Sequence, residues 1–260
     1  MNDLPARIAA KKAELDRLKR SPRRSVTNFD HSQDLELTYT SNAIEGNTLT
    51  AVETTMVIEQ GITIAGKPLR DHLEALDHYD AIRYVRELAR GSGPLSQMDI
   101  RNLHRLVMLR SNPEISGQYA DQGRYVLTDK GRHAFPSPAE LRPLMEAFAA
   151  WLADAPMTPE TAFTAHRRLV DIHPFNDGNG RTARLLMNLV LIRGGYPPVP
   201  VRPEDRPRYI AALNLAQDGG GDGAFRTLLY ERLDATMDEV LQAFHQARPD
   251  EGPEPEETAG

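Results

Sequence analysis

Residues 173–184 read HPFNDGNGRTAR, and the rest of the chain is best understood outward from them. Pro174 disfavours helix at His173, so a preceding helix ends there and a loop follows. Helix resumes near Arg181, which places Gly178, Asn179 and Gly180 at a helix N-terminus, where free N–H groups and the dipole favour an anion. The glycines let the backbone curl into a nest and let a bulky phosphate approach. Arg181 and Arg184, three residues apart, share a helix face and are expected to reach the same polyphosphate. Asp177 is a hard carboxylate beside that nest, the usual way in which Mg²⁺ is held next to phosphates. His173 can take a proton from an attacking hydroxyl near neutral pH. Taken singly, His-Pro is usually a helix stop and Gly-Asn-Gly usually a turn. Together these residues describe a site that handles phosphates, with Phe175 turned inward as the anchor of its loop.

The surrounding pattern predicts an all-α domain interrupted by one irregular stretch. Helices are expected over residues 4–20, 32–45, from Thr50 to Gly61, over 69–90, and from Ser96 with Ile100, Leu103 and Val107 buried. Thr50 and Glu53 form a capping box, and Ser137, Pro138 and Glu140 repeat the device for a helix to about residue 153. Further helices run from Thr158 and Pro159 to Ile172, over 180–193, from Pro207 to about 217, and over 224–246. In the 69–90 helix, Leu69, Leu73, Leu76, Val85 and Leu88 mark the expected apolar stripe. Residues 111–136 break the rhythm with turn formers, scattered β-formers and a DKG turn at 129–131, and are read as an exposed loop or hairpin. SPRRS at 21–25 breaks the first helix. The acidic, Pro-rich residues 247–260 are expected to be disordered.

Composition narrows the class of function. The chain has 260 residues, 40% hydrophobic and 26% charged, as in a folded domain with a sizeable core. Its net charge of −6 argues against an extended nucleic-acid surface. Zero cysteines exclude disulfides and thiolate metal sites and fit a reducing, cytoplasmic setting. No apolar run approaches the length of a membrane span. A second stretch, TSNAIEGN at 40–47, places Ser41 and Glu45 on one helix face. An acid at a helix C-terminus opposes the dipole, so Glu45 is expected to have a cationic partner, and two arginines around a phosphate site could supply one.

The string from His173 to Arg184 resembles the complete signature of the Fic family, all-helical domains most of whose members transfer AMP from ATP to a hydroxyl of a target protein. The resemblance continues through RLLMNLVLIRGGYPPV and a helix containing Tyr209, and covers roughly residues 35–240. It implies a Fic-type helical domain over 35–246 with a short β-hairpin flap at about 117–135, a helical extension over 1–34 and a tail over 247–260. It further implies His173 as general base and Asp177 as Mg²⁺ ligand. Gly178, Asn179, Gly180, Arg181 and Arg184 would hold the phosphates of ATP, with Tyr209 near the adenine. Glycine at 180, where the phosphotransferring Doc-like branch has lysine, points to nucleotidyl transfer. TSNAIEGN is similar to the family's inhibitory motif, Ser/Thr-x-x-x-Glu-Gly/Asn, in its N-terminal version within the same chain. That implies a pair of Glu45 with Arg184 that stops the γ-phosphate from settling productively. The flap would dock an extended target segment by strand addition, and a homodimer is expected.

Other readings stay open on the residues alone. They are transfer of a different nucleotide, chiefly removal of AMP, or a non-catalytic nucleotide-binding regulator, against which the intact His173 counts. Ile210 beside Tyr209, and Gln217 at a place where the resemblance implies Asn, depart from the family and leave the base open. Gln118-Tyr119-Ala120 lacks the Arg that many relatives carry beside the Tyr. GITIAGKP at 61–68 fits G-x-x-x-x-G-K, but Pro68 stands where a Walker loop needs Ser or Thr, so a turn or small hairpin is expected. His72, His78, His104 and His166 lack metal-binding spacing and are read as structural or exposed. Phe148 and Trp151 are read as core.

Overall fold

The computed structural model describes residues 4–20, 26–128 and 130–246. The linker SPRRS, Asp129 of the DKG turn and the tail 247–260 lie outside the described residues. Ten helices are present among these residues: α1 Leu4–Lys19, α2 Val26–Ile44, α3 Ala51–Gln60, α4 Leu69–Arg90, α5 Gln97–Val107, α6 Pro138–Asp154, α7 Pro159–Ile172, α8 Asn179–Arg193, α9 Arg206–Gln217 and α10 Gly223–Gln246. One antiparallel hairpin joins β1 Tyr125–Thr128 to β2 Gly131–Ala134, with Tyr125 opposite Ala134 and Thr128 opposite Gly131.

The capping residues act as their chemistry dictates. Thr50 and Ser96 accept from the backbone N–H of Glu53 and Asp99, whose carboxylates return to the cap N–H groups. Thr158 accepts from Thr161 N, and Pro159 opens α7. Gly46 and Gly61, with φ of 96° and 65°, end α2 and α3 in the left-handed region.

Helix α8 is the axis of the domain. Its run Leu185–Leu191 is buried on every side, and it packs against α7, α4, α5 and α2. A helix buried all round fits a sequence apolar all round. Helix α1 lies along α10, held by Lys11 on Asp234 at 2.7 Å and by Arg7 on the same carboxylate. Phe148 is buried and Trp151 partly so, their rings stacked 5.9 Å apart.

Two expectations needed correction. Helix α2 begins at Val26 rather than residue 32. The polar run Asp30–Gln33 offers no apolar period, although Phe29 packs against the core. In α4 the expected stripe holds at Val85 and Leu88 but fails in the N-terminal half: Leu69 is 67% exposed, whereas Asp71, Glu74, Asp77 and His78 are buried. These carboxylates are inside because they receive backbone amides and arginines. Asp77 accepts from Arg110 N and Ser111 N at 2.9 Å, and Asp71 from Thr48 N at 2.8 Å. The GITIAGKP segment is a turn between α3 and α4, with Ile64 N donating to His72 at 2.8 Å, so the Walker motif lacks its strand.

Candidate functional site

Helix α7 ends as His173 N donates to Leu169 O at 2.9 Å, and His173 itself takes φ 49°, ψ 58°. It is the one non-glycine residue with positive φ among those described. That conformation costs of order 1–3 kcal/mol and persists only where the surroundings enforce it. Pro174 follows, and Pro174 O accepts from Ala120 N at 2.8 Å. Phe175 is fully buried, as expected of an anchor, and stacks on His104 with centroids 3.7 Å apart.

The His173 imidazole has a defined tautomer. Its Nδ1 lies 3.3 Å from Val170 O, and a carbonyl only accepts, so Nδ1 carries the hydrogen and Nε2 keeps a free lone pair. Burial pushes its pKa down from 6.5 to about 4, with the Arg124 charge acting in the same direction. The ring is therefore neutral at pH 7.

The loop glycines have steric reasons. Gly178 sits at φ 74°, and a Cβ there would lie 2.9 Å from Met108 Sδ. A Cβ on Gly180 would overlap Glu45 Oε1. Asn179 spends its amide on the loop: Phe175 N donates to its Oδ1 at 3.0 Å, and its Nδ2 donates to Phe175 O at 2.8 Å. The Asp177 carboxylate is half exposed. It accepts from Gly178 N at 2.6 Å and meets Arg70 at 3.2 Å and Arg181 at 3.5 Å.

Arg184 is buried and reaches the end of α2. Its Nε donates to Ser41 Oγ at 2.9 Å, and its Nη2 to Ser41 O at 2.9 Å and to Glu45 Oε1 at 2.7 Å. Arg206 donates to Ile44 O at 2.7 Å, so two arginines close the C-terminal end of α2. Arg181 does not join Arg184. It is 2% exposed and turns behind the loop, 3.3 Å from Glu74 and against Met108. The three-residue spacing puts the two arginines on neighbouring faces of α8, and buried Glu74 on α4 draws Arg181 to its own side. Tyr209 is also buried, its hydroxyl paired with His166 at 2.8 Å.

A cleft of about 290 Å³ brings Glu45, His173, Gly180, Arg184 and Tyr209 to one surface. Val126 and Phe135 of the hairpin segment and Ile210 and Gln217 of α9 complete the wall. Sequence reading missed four contributors: Arg70, Glu74, His104 and Phe135. His104 carried a signal, a polar residue on the Ile100–Leu103–Val107 stripe of α5. Its Nδ1 accepts from Gly117 N and its Nε2 donates to Asp177 O, both at 3.0 Å. Among the described residues no cluster of three or more His, Asp or Glu could hold a metal alone. The half-exposed Asp177 is the carboxylate of this loop that could hold a cation whose other ligands come from phosphate and water.

Comparison with known proteins agrees. The family model described as Fic/DOC family matches residues 94–191. The chain is 41% identical over 186 residues to the protein adenylyltransferase Fic of Nematostella vectensis, covering 70% of this chain and 43% of that one. It is 39% identical to the Drosophila virilis protein of the same name, over 70% of this chain and 37% of the other. The chain thus spans less than half the length of these curated relatives. Among solved structures, a fragment of Fic-1 from C. elegans superposes with a TM-score of 0.80 at 30% identity, over 92% of this chain and 71% of the other. A Fic domain containing signaling protein from Bacteroides thetaiotaomicron gives 0.84 at 28% identity, over 95% and 100%. Signature loop, helical frame and relatives coincide, and this chain belongs to the Fic family.

Proposed function

We propose that this chain is an autoinhibited protein adenylyltransferase that transfers AMP from ATP to a Ser, Thr or Tyr hydroxyl of a target protein, and of itself. The carrying observation is the neutral imidazole of His173, its Nε2 unblocked, in the same cleft as Arg184 and the glycine turn at the start of α8. In this reaction the hydroxyl gives its proton to Nε2 of His173 while its oxygen bonds to the α-phosphorus. The bond to the bridging oxygen breaks, and pyrophosphate leaves. The N–H groups of Asn179 and Gly180 at the start of α8 and the Arg184 guanidinium oppose the charge that develops. Asp177 would hold Mg²⁺, which neutralises phosphate charge when bound. The relatives' name, protein adenylyltransferase, supports the assignment.

Glu45 provides the inhibition on this reading. It occupies the Arg184 donor that a γ-phosphate would use, and loss of a charged hydrogen bond of this kind is worth a few kcal/mol, hence orders of magnitude in rate. The hairpin offers the target an edge strand, with Leu127 71% and Tyr125 53% exposed. The apolar wall of Ile210 and Val126 would take the base. A cytoplasmic setting accords with the cysteine-free composition. No helix among the described residues is long and apolar enough to cross a membrane. A homodimer completes the proposal, and light scattering checks it.

Incubation of the Glu45→Gly protein with α-labelled and γ-labelled ATP tests the function. Protein labelled from the α position alone, and lost in His173→Ala, supports AMP transfer. Label from the γ position would make it a kinase, and nucleotide binding without any label would make it a regulator.

A further inference from the structure

Phe135 closes the hairpin segment and is 8% exposed. Its ring stacks on His173, with centroids 3.9 Å apart and planes 9° from parallel. Its backbone N–H donates to Arg124 O at 3.0 Å, which ties the residue to the base of β1. His133, two residues earlier, meets the same ring edge-on at 5.5 Å. The imidazole is thus restrained from two directions. Val170 O holds the Nδ1 edge, Phe135 covers one face, and the Nε2 edge is left toward the cleft.

This restraint has a mechanical basis. The hairpin segment is fastened to the signature loop at both ends. Ala120 N donates to Pro174 O at 2.8 Å and Asn176 Nδ2 to Asp121 Oδ1 at 3.0 Å before β1, and the Phe135 stack follows β2. A general base must present its lone pair within hydrogen-bond reach of the proton it takes, and a displacement of about 1 Å can cost roughly a hundredfold in rate. An imidazole on a left-handed backbone, held by one bond at 3.3 Å, can swing about χ2 unless a neighbour fixes its plane.

Resting on the reading of His173 as general base, we infer that Phe135 is a positioning residue: it fixes the plane of the His173 imidazole and so ties the geometry of the base to the hairpin that would receive the target. The residue acts through its stack on His173. An aromatic ring is required because only a flat face restrains the ring's rotation as well as its place.

The test uses the full chain with Glu45→Gly as parent and adds Phe135→Leu, which keeps apolar volume, or Phe135→Tyr, which keeps the ring. Proton NMR without nucleotide reads the stack directly. The His173 ring protons, identified by their loss in His173→Ala, are expected upfield in the parent and in Phe135→Tyr, and displaced downfield in Phe135→Leu. Kinetics with α-labelled ATP should show kcat reduced about tenfold or more in Phe135→Leu, with KM for ATP little changed and Phe135→Tyr near the parent. A thermal melt establishes that each variant is folded. Unchanged ring shifts in Phe135→Leu, or a kcat equal to the parent's, would overturn the inference, as would equal losses in both variants. The NMR arm needs no turnover, so failure of the proposed activity shows itself separately from failure of the stack.

Discussion

Arg184 is a guanidinium enclosed by protein, 4% exposed, whose one carboxylate partner is the 38% exposed Glu45. Removing Glu45 leaves the buried guanidinium without its carboxylate, a loss that solvent at the exposed Glu45 side and the two Ser41 acceptors only partly offset. Glu45→Gly should therefore melt at lower temperature than the parent without ligand, and regain more on adding Mg²⁺ and ATP, because the nucleotide supplies the missing anion. Calorimetry with and without nucleotide measures both, and equal nucleotide-induced gains in the two proteins would refute the competition. Incorporation of α-label should rise at least about tenfold in the same variant. The pH dependence follows from His173. Its pKa is lowered to about 4 from 6.5, so the unprotonated base persists through mildly acidic conditions. The acid limb of kcat/KM should fall near pH 4 and not near 6.5. A limb near 6.5 in the Glu45→Gly protein would contradict the buried geometry.

Helix α4 shows how far periodicity carries and where it stops. Val85 and Ala81 are buried as apolar spacing demands, yet the N-terminal half turns its acids inward. Asp77 is fully buried because three donors from Arg110 and Ser111 meet it. Asp77→Ala strands those N–H groups and should cost about 2–4 kcal/mol in urea unfolding. The hairpin is held differently, at its tip. Thr128 Oγ1 donates to Asp218 Oδ1 at 2.9 Å, and Lys130 Nζ to Asp218 O at 3.0 Å. Asp218→Ala should speed amide exchange over Tyr125–Thr128 while leaving global melting unchanged, since the contact is partly exposed. The hairpin was legible in its β-formers and the DKG turn at 129–131, which allowed either a loop or a hairpin. Its tip is anchored by a contact 90 residues away in sequence, which no local pattern encodes.

Four buried histidines couple the domain to pH. His104 and His173 are lowered by burial to about 4, and His78 and His166 are held well below 6.5, again chiefly by burial. An unfolded chain would bind protons at these sites near pH 6.5, so between about 6.5 and 4 it holds more protons than the folded one. Stability is complete above 6.5 and is lost as pH falls toward 4, by up to roughly 3 kcal/mol for each of His104 and His173. Urea midpoints at pH 7 and pH 5 should differ clearly, and His104→Gln should lessen the difference. Equal midpoints would show that these rings are not buried in solution.

The twelve residues from His173 to Arg184, the caps at Thr50, Ser96 and Ser137 and the glycine stops announced a helical domain with a phosphate-type loop. Each of those features acts within a few residues, through backbone sterics or a hydrogen bond to a near neighbour. Ser41 and Glu45 were legible as one face for the same reason. What spacing could not show was which arginine faces which carboxylate. Arg181 and Arg184 are alike in sequence, but Glu74 on α4 takes the first and Glu45 after α2 takes the second. His104, Arg70 and Phe135 likewise gain their partners only when α5, α4 and the hairpin close over the loop. Such contacts join residues far apart along the chain, and their energy depends on burial and distance that exist only after the helices have packed.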